Sequence, residues 1–291
     1  MKTALVFGAS GQIGAPLVEL LNGAGWRVFA VSRQARSDSP GRHWLHGDLT
    51  HVHGLPDSVD AIYSCGPLDL FARWHARARV RAPRIVAFGS TSAATKHGSE
   101  DDDERDLARR LLGAEAALFA QSEVQGAAAT MLRPTLVYGA GRDATLTRIA
   151  RLAQRWGRFM LPRRCDGLRQ PVHVQDLANA AFAASASAAT HGRSYDLPGG
   201  ETLPYREMVR CVLACLEPAP ALVELPMPLF QVALKAAQAR GIAADLTPAA
   251  VARMRQDMVF DAGPARRDFD YAPRAFKPEA LMFENAMPIR E

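Results

Sequence analysis

The stretch from Thr3 to Gly14 restricts the fold more than any other. Thr3-Ala-Leu-Val-Phe7 is a short apolar run, as expected of a buried parallel strand, and Gly8-Ala-Ser-Gly11-Gln-Ile-Gly14 follows it at once. Ala15-Pro-Leu-Val-Glu-Leu-Leu21 then reads as a helix, with Pro16 near its first turn and Gly23 and Gly25 beyond its end. A second apolar strand, Trp26 to Val31, completes a βαβ unit of about 30 residues. In such a loop one glycine permits the tight turn, one lets the backbone approach a pyrophosphate, and one allows close helix–strand packing. The helix N-terminus adds free N–H groups and a positive dipole end. The expected reading is a dinucleotide-binding loop made of Gly8, Ser10, Gly11, Gln12, Ile13 and Gly14, against a glycine-rich turn in an unrelated α/β fold.

Which nicotinamide cofactor such a loop holds is read at the end of the second strand. An acid there binds the ribose 2′-OH of NAD, whereas an arginine accommodates the 2′-phosphate of NADP. The chain has Ser32-Arg33, with Arg36 close by and no acid before Asp38. NADP is therefore the expected cofactor and NAD the alternative, unless Arg33 merely opens a solvated loop.

Composition narrows the class further. The 291 residues are 48% apolar and 22% charged, which fits a globular chain and excludes a disordered one. No apolar run reaches the roughly 18 residues of a membrane-spanning helix, and a strand starting at Thr3 leaves no room for a signal peptide, so a cytoplasmic protein is expected. Cys65, Cys165, Cys211 and Cys215 form no CxxC pair and no metal-ligand cluster, and read as reduced thiols. The net charge of +5 rests almost entirely on arginine and, with no recognised motif, does not indicate specific nucleic-acid binding.

The GxxGxxG spacing resembles the short-chain dehydrogenase/reductase superfamily in its extended or atypical branches. It is nearest the epimerase/dehydratase-like branch that includes the nucleotide-binding accessory subunit of respiratory complex I. The resemblance covers roughly residues 2–215. It implies a Rossmann-type doubly wound parallel α/β sheet with a smaller C-terminal substrate lobe. Residues 1–140 would form the NAD(P)-binding domain and 141–291 the lobe, with about 170–198 returning to the sheet. It further implies adenine contact by Asp48 beside Leu49 (helix N-capping being the alternative for Asp48), a fourth strand under the cofactor ending at Gly66, and a catalytic hydroxyl at Thr91. In Met131-Leu-Arg-Pro-Thr-Leu-Val-Tyr138-Gly it places Tyr138 as a shaper of the cofactor pocket. In Leu168-Arg169-Gln-Pro-Val-His173-Val-Gln-Asp176 it makes Arg169 a contact for substrate phosphates. His173 reads as a packed histidine or a substrate-lobe residue, and Asp176 as the N-cap of the helix that follows.

One departure matters chemically. The superfamily's proton donor is a tyrosine activated by a lysine four residues on, where i and i+4 side chains are neighbours on a helix. The residues four places after Tyr63, Tyr138, Tyr195, Tyr205 and Tyr271 are Pro67, Arg142, Gly199, Val209 and Ala275. Aligned on Ala114-Glu115, the two positions hold Leu107 and Leu111, which cannot transfer a proton. Lys96 and His97, just past Thr91, are substitutes or a solvated pair. Two functions stay open: an NADP-linked reductase, dehydrogenase or epimerase, and a protein that holds NADP(H) as a structural or redox-sensing ligand. Arg148, Arg151, Arg155 and Arg158 recur at helical spacing opposite Ile149, Leu152 and Trp156, and form either a solvated basic face or a surface for an acidic protein or anionic surface. The acids Glu100 to Glu104 read as a helix cap.

Overall fold

The computed structural model describes residues 1–242 and 246–284. The chain divides into two compact units. The first contains Met1–Thr135, Val172–Pro198 and Phe260–Pro273; the second contains Leu136–Pro171, Gly199–Val259 and the chain from Arg274 on.

The first unit is built on a seven-stranded parallel sheet. β1 (Thr3–Phe7), β2 (Arg27–Ser32) and β3 (Arg42–His46) run outward to one side. The chain then returns past β1 to β4 (Ala61–Ser64), β5 (Arg84–Phe88), β6 (Ala128–Pro134) and the edge strand Arg193–Leu197. The order therefore reverses between β1 and β4, whose last residues Phe7 and Ser64 lie side by side. β1, β4 and β5 are apolar on both faces because helices cover both. α1 (Gly14–Gly23) and the Val174–Ala186 helix pack together, as do α2 (Leu68–His75) and α4 (Asp102–Val124). Between α2, α4 and the sheet lies the core of Leu5, Phe7, Ile62, Phe71, Ile85 and Leu118.

Local signals explain the helix ends. Asp101 accepts a hydrogen bond from the Glu104 N–H and starts α4, with Asp102, Asp103 and Glu104 in the first turn, so the acidic run is a cap. The Val174–Ala186 helix is capped by His173, whose Nδ1 accepts from the Gln175 N–H at 3.1 Å; Asp176, expected as the cap, sits buried inside the first turn instead. No helix lies between β3 and β4, so Asp48 caps none. Its Oδ1 accepts from the Thr50 N–H, the Thr50 hydroxyl and the His51 N–H, which closes a turn.

Arg84 fastens the far end of the Val174–Ala186 helix. From β5 its guanidinium donates to the carbonyls of Ala184 (2.8 Å) and Ser185 (3.0 Å) and to the Thr190 hydroxyl (2.9 Å). They lie at the helix end where the dipole favours a cation, and the Ala184 carbonyl also accepts from the Ser187 N–H and the Thr190 hydroxyl. Replacing Arg84 by Met removes these bonds together, and we expect a loss of about 3 kcal/mol in urea unfolding.

His75 ends α2 fully buried, stacked on Phe71, with Nε2 3.2 Å from the Ser122 hydroxyl and Nδ1 without a partner. Burial lowers its pKa to about 4. The native state therefore resists a proton that the unfolded chain takes up near pH 6.5. Stability contributed by the neutral ring is intact above that value and declines as pH falls toward 4, by roughly 3 kcal/mol at about 1.4 kcal/mol per unit. Unfolding curves across this range should show the decline in the wild type and lack that component in His75→Phe.

In the second unit the helices Leu146–Trp156 and Tyr205–Ala214 share a core with Leu146, Ile149, Ala153, Met208, Val212 and Met254. Asp143 caps the first of them by accepting from the N–H groups of Thr145, Leu146 and Thr147. The strand Arg158–Pro162 pairs in parallel with Ala221–Leu225. The expected four-arginine helix face is interrupted. Gly157, at φ 63°, ends the helix after Trp156, so Arg158 opens the strand, and Trp156 is exposed instead of lining the apolar side.

Candidate nucleotide-binding site

The reversal between β1 and β4 leaves a gap at the carboxyl ends of the strands, and the glycine loop enters it. Gly8 leaves β1 at φ 69°, in the left-handed region, and a Cβ there would stand 3.0 Å from the Cys65 carbonyl at the end of β4. The Gly11 N–H returns to the Gly8 carbonyl at 2.8 Å and closes the turn. At Gly14 an added Cβ would stand 2.1 Å from the Gly8 oxygen and 2.9 Å from Ala9 Cα, so α1 docks here only because the side chain is a hydrogen. Gly11 differs: its Cβ would meet the Gly8 carbonyl at 3.0 Å, and beyond Gly8 nothing lies within 4 Å. The three roles thus fall on separate residues, with the turn at Gly8, the open approach at Gly11 and the packing at Gly14.

The start of α1 has no side-chain cap and no acid in its first turn, so its N–H groups and dipole are not offset by the chain. Beside them the Gln12 side-chain oxygen is buried without a partner. An uncapped helix start and an open glycine are the features a bound diphosphate would complete; the Gln12 oxygen, an acceptor, calls for a donor that a diphosphate does not offer. Ser10 and Ser32 link the loop to the end of β2 through hydroxyls 3.5 Å apart, and Ser32 also accepts from the Gln34 N–H.

Past Ser32 the side chains sort by partner. Arg36 lies over the Trp44 ring at 5.0 Å. Asp38 accepts from the Trp44 N–H at 2.7 Å and from the His43 ring, and these bonds hold its carboxyl below the usual range. Arg33 is exposed, and its guanidinium has no ion pair among the described residues. The bonds to Thr50 and His51, aided by the nearby Arg33 charge, keep the Asp48 carboxyl low and ionised. Leu49 is buried, with its Cδ1 3.2 Å from where a Gly66 Cβ would stand, so Gly66 keeps the end of β4 clear.

The positions expected to carry chemistry are occupied differently. Thr91 is buried at the start of the short helix α3 (Ser92–Thr95), and its hydroxyl donates to the Pro134 carbonyl at 3.2 Å. Lys96 pairs with Glu104 at 3.4 Å, and His97 is exposed. Leu107 and Leu111 sit on α4, Leu111 against the core. Burial pushes the phenols of Tyr63, Tyr195 and Tyr205 up to about 12 and raises Tyr271 also. Tyr63 donates to the Ser185 hydroxyl and Tyr271 to the Pro198 carbonyl. Sequence reasoning missed Glu115 as a partner: it takes a two-pronged hydrogen bond from Arg133 of β6 (3.0 and 2.5 Å) and another from the Ser194 hydroxyl. The Arg-Pro of the Tyr138 motif was the available signal.

In the second unit Tyr138 is buried edge-on to Phe276, with ring centroids 4.9 Å apart. Arg169, also buried, donates to the carbonyls of Leu168 (2.7 Å), Gln256 (2.8 Å) and Arg253 (2.6 Å) and lies over the Tyr205 ring. Among the described residues there is no group of three or more His, Cys, Asp or Glu able to hold a metal, and no helix long and apolar enough to cross a membrane.

A parallel sheet with its strand-order reversal at a glycine loop defines a Rossmann-type α/β protein. Residues 4–78 match the NAD dependent epimerase/dehydratase family. Among curated proteins, the chain is similar to the mitochondrial NADH dehydrogenase [ubiquinone] 1 alpha subcomplex subunit 9 of Arabidopsis thaliana. The two are 27% identical over 251 aligned positions, covering 78% of this chain and 61% of that one. It is also 26% identical to the uncharacterized protein y4nG of Sinorhizobium fredii, over 98% of this chain and 78% of that one. The chain thus spans less than two thirds of the Arabidopsis relative. Among solved structures it resembles the epimerase Mth375 of Methanothermobacter thermautotrophicus, with a TM-score of 0.69 at 15% identity, covering 96% and 90% of the two chains. MoeE5 in complex with UDP-glucose and NAD gives 0.69 at 18% identity and 94% of each. At these identities the likeness is one of fold.

The glycine geometry separates packing from binding. Gly14→Ala forces α1 off the sheet and should cost about 3 kcal/mol, whereas Gly11→Ala should cost about 1 kcal/mol. Chemical denaturation of the two variants measures this, and equal losses would contradict the division of roles.

Proposed function

We propose that this chain is an NAD(P)-binding protein of the epimerase/dehydratase type, that it prefers NADP(H), and that it lacks the standard tyrosine–lysine proton-transfer pair. The observation that carries the reading is the glycine loop. It has an open approach at Gly11 and an uncapped α1, both at the strand-order reversal where such sheets bind ligands. When bound, the nicotinamide would supply hydride exchange; the chain's own residues bind and orient it. Gly8, Ser10, Gly11, Gln12, Ile13 and Gly14 would face the diphosphate, and Ser32 and Arg33 the adenosine ribose with its 2′-phosphate. Asp48, Leu49 and Gly66 would line the adenine side. The preference for NADP rests on Arg33 lacking an ion pair while the next acid along the chain, Asp38, is engaged by Trp44 and His43.

A second reading has its own support: NADP(H) held as a structural or redox-sensing ligand without turnover. A tyrosine donor needs its phenol pKa lowered, and burial raises it at Tyr63, Tyr195, Tyr205 and Tyr271. The Thr91 hydroxyl, the candidate past the end of β5, bonds to the Pro134 carbonyl. General acid catalysis contributes on the order of 10²–10⁴-fold, so slow turnover is compatible with this loss.

Calorimetric titration tests the nucleotide binding that both readings share. NADPH should bind more tightly than NADH, and Arg33→Ala should weaken NADPH about tenfold while leaving NADH unchanged, in line with the loss of one charge-assisted hydrogen bond. Equal binding of the two nucleotides would remove the NADP preference, and binding of neither would remove the dinucleotide reading.

A further inference from the structure

The second unit exposes large apolar side chains next to arginines that have no acidic partner. Trp156 is 52% exposed at the end of the Leu146–Trp156 helix, and Met160 is 42% exposed two residues into the strand that follows. That strand pairs with Ala221–Leu225, and the Met227–Gln238 helix begins two residues later and packs back against it. This helix buries Phe230 and turns Leu229 and Val232 outward, 58% and 68% exposed. The apolar groups therefore belong to one contiguous helix–strand–helix construction.

The charge around them has one sign. Residues 146–164 contain six arginines and no Asp or Glu, and residues 225–242 contain Lys235 and Arg240 and no acid. Arg155, Arg158, Arg163 and Arg164 are exposed, and none makes an ion pair among the described residues. In the first unit several arginines have acidic partners instead: Arg42 pairs with Glu19, Arg73 with Asp69, Arg109 with Asp106 and Arg193 with Asp268. The acids nearest the construction, Asp166 and Glu224, both pair with Arg206. Arg155 lies over the Trp156 ring at 5.6 Å, a cation beside an aromatic whose face remains open.

We propose that this face docks on an anionic phospholipid surface, with Trp156, Met160, Leu229 and Val232 entering the headgroup boundary and Arg155, Arg158, Arg163 and Arg164 meeting the lipid phosphates. Arginines with long apolar stems and an indole at the edge match a bilayer interface, where charge and hydrocarbon are layered within a few ångströms. The inference is independent of the nucleotide reading, since all its residues lie in the second unit.

Co-sedimentation of the purified full chain with vesicles tests it. Binding is expected to phosphatidylcholine vesicles containing phosphatidylglycerol, to weaken steeply with added salt, and to be absent for phosphatidylcholine alone. A blue shift of tryptophan fluorescence should accompany it and vanish in Trp156→Phe. Arg155→Ala with Arg158→Ala should lower affinity about 25-fold, at about fivefold per basic residue. Leu229→Ser with Val232→Ser should lower affinity while leaving the salt dependence in place. All are surface changes, and unchanged melting temperatures confirm that the variants fold. Equal binding to uncharged vesicles, no effect of the arginine pair, or an equal shift with soluble polyaspartate would overturn the proposal, the last by pointing to an acidic polypeptide.

Discussion

The contact between Gly14 and the carbonyl oxygen of Gly8 governs the geometry of the first unit. The hydrogen at Gly14 lets α1 approach the end of β1 more closely than any side chain would permit. The same approach leaves the first N–H groups of α1 beside the gap between β1 and β4, uncapped by any side chain. The packing requirement and the proposed binding site are thus one feature: tight helix–strand docking creates an anion-receptive helix end at the strand-order reversal.

A second constraint works on the chemistry. The apolar interior takes in Tyr63, Tyr195, Tyr205 and Tyr271, and burial disfavours the phenolate at each. α4, where a proton-transfer pair would be expected, carries Leu107 and Leu111 and uses Glu115 to hold Arg133 of β6. This helix serves the sheet as a buttress through a buried ionic contact. Thr91 and Lys96 likewise have partners within the protein, the Pro134 carbonyl and Glu104.

The βαβ unit was legible in the sequence because its signals are local: an apolar run, glycines at a fixed spacing and a helix with recognisable ends. The acidic cap of α4 was legible for the same reason. What escaped was decided by partners distant in sequence or by a single backbone angle. Asp176 looked like an N-cap, yet His173 turns its ring onto the helix start. Arg169 looked like a phosphate contact, and the structure fixes its guanidinium on carbonyls more than 80 residues away. The arginine periodicity ran through Arg158, but Gly157 in the left-handed region stopped the helix one residue earlier. Ala221–Leu225 has no alternating pattern, and its pairing with Arg158–Pro162 depends on a strand about 60 residues upstream.

The path of the chain has its own consequence. It leaves the first unit after Thr135, re-enters at Val172, leaves again after Pro198 and returns for Phe260–Pro273. A truncation ending near residue 135 would keep the glycine loop and lose the edge strand beside β6, the helix packed on α1 and the carbonyls that Arg84 clamps. The amino-terminal half is therefore no autonomous module, although its motif is contiguous in sequence. Since the second unit enters as insertions between framework segments, loop remodelling and segment exchange could diversify it while the sheet keeps its strand order.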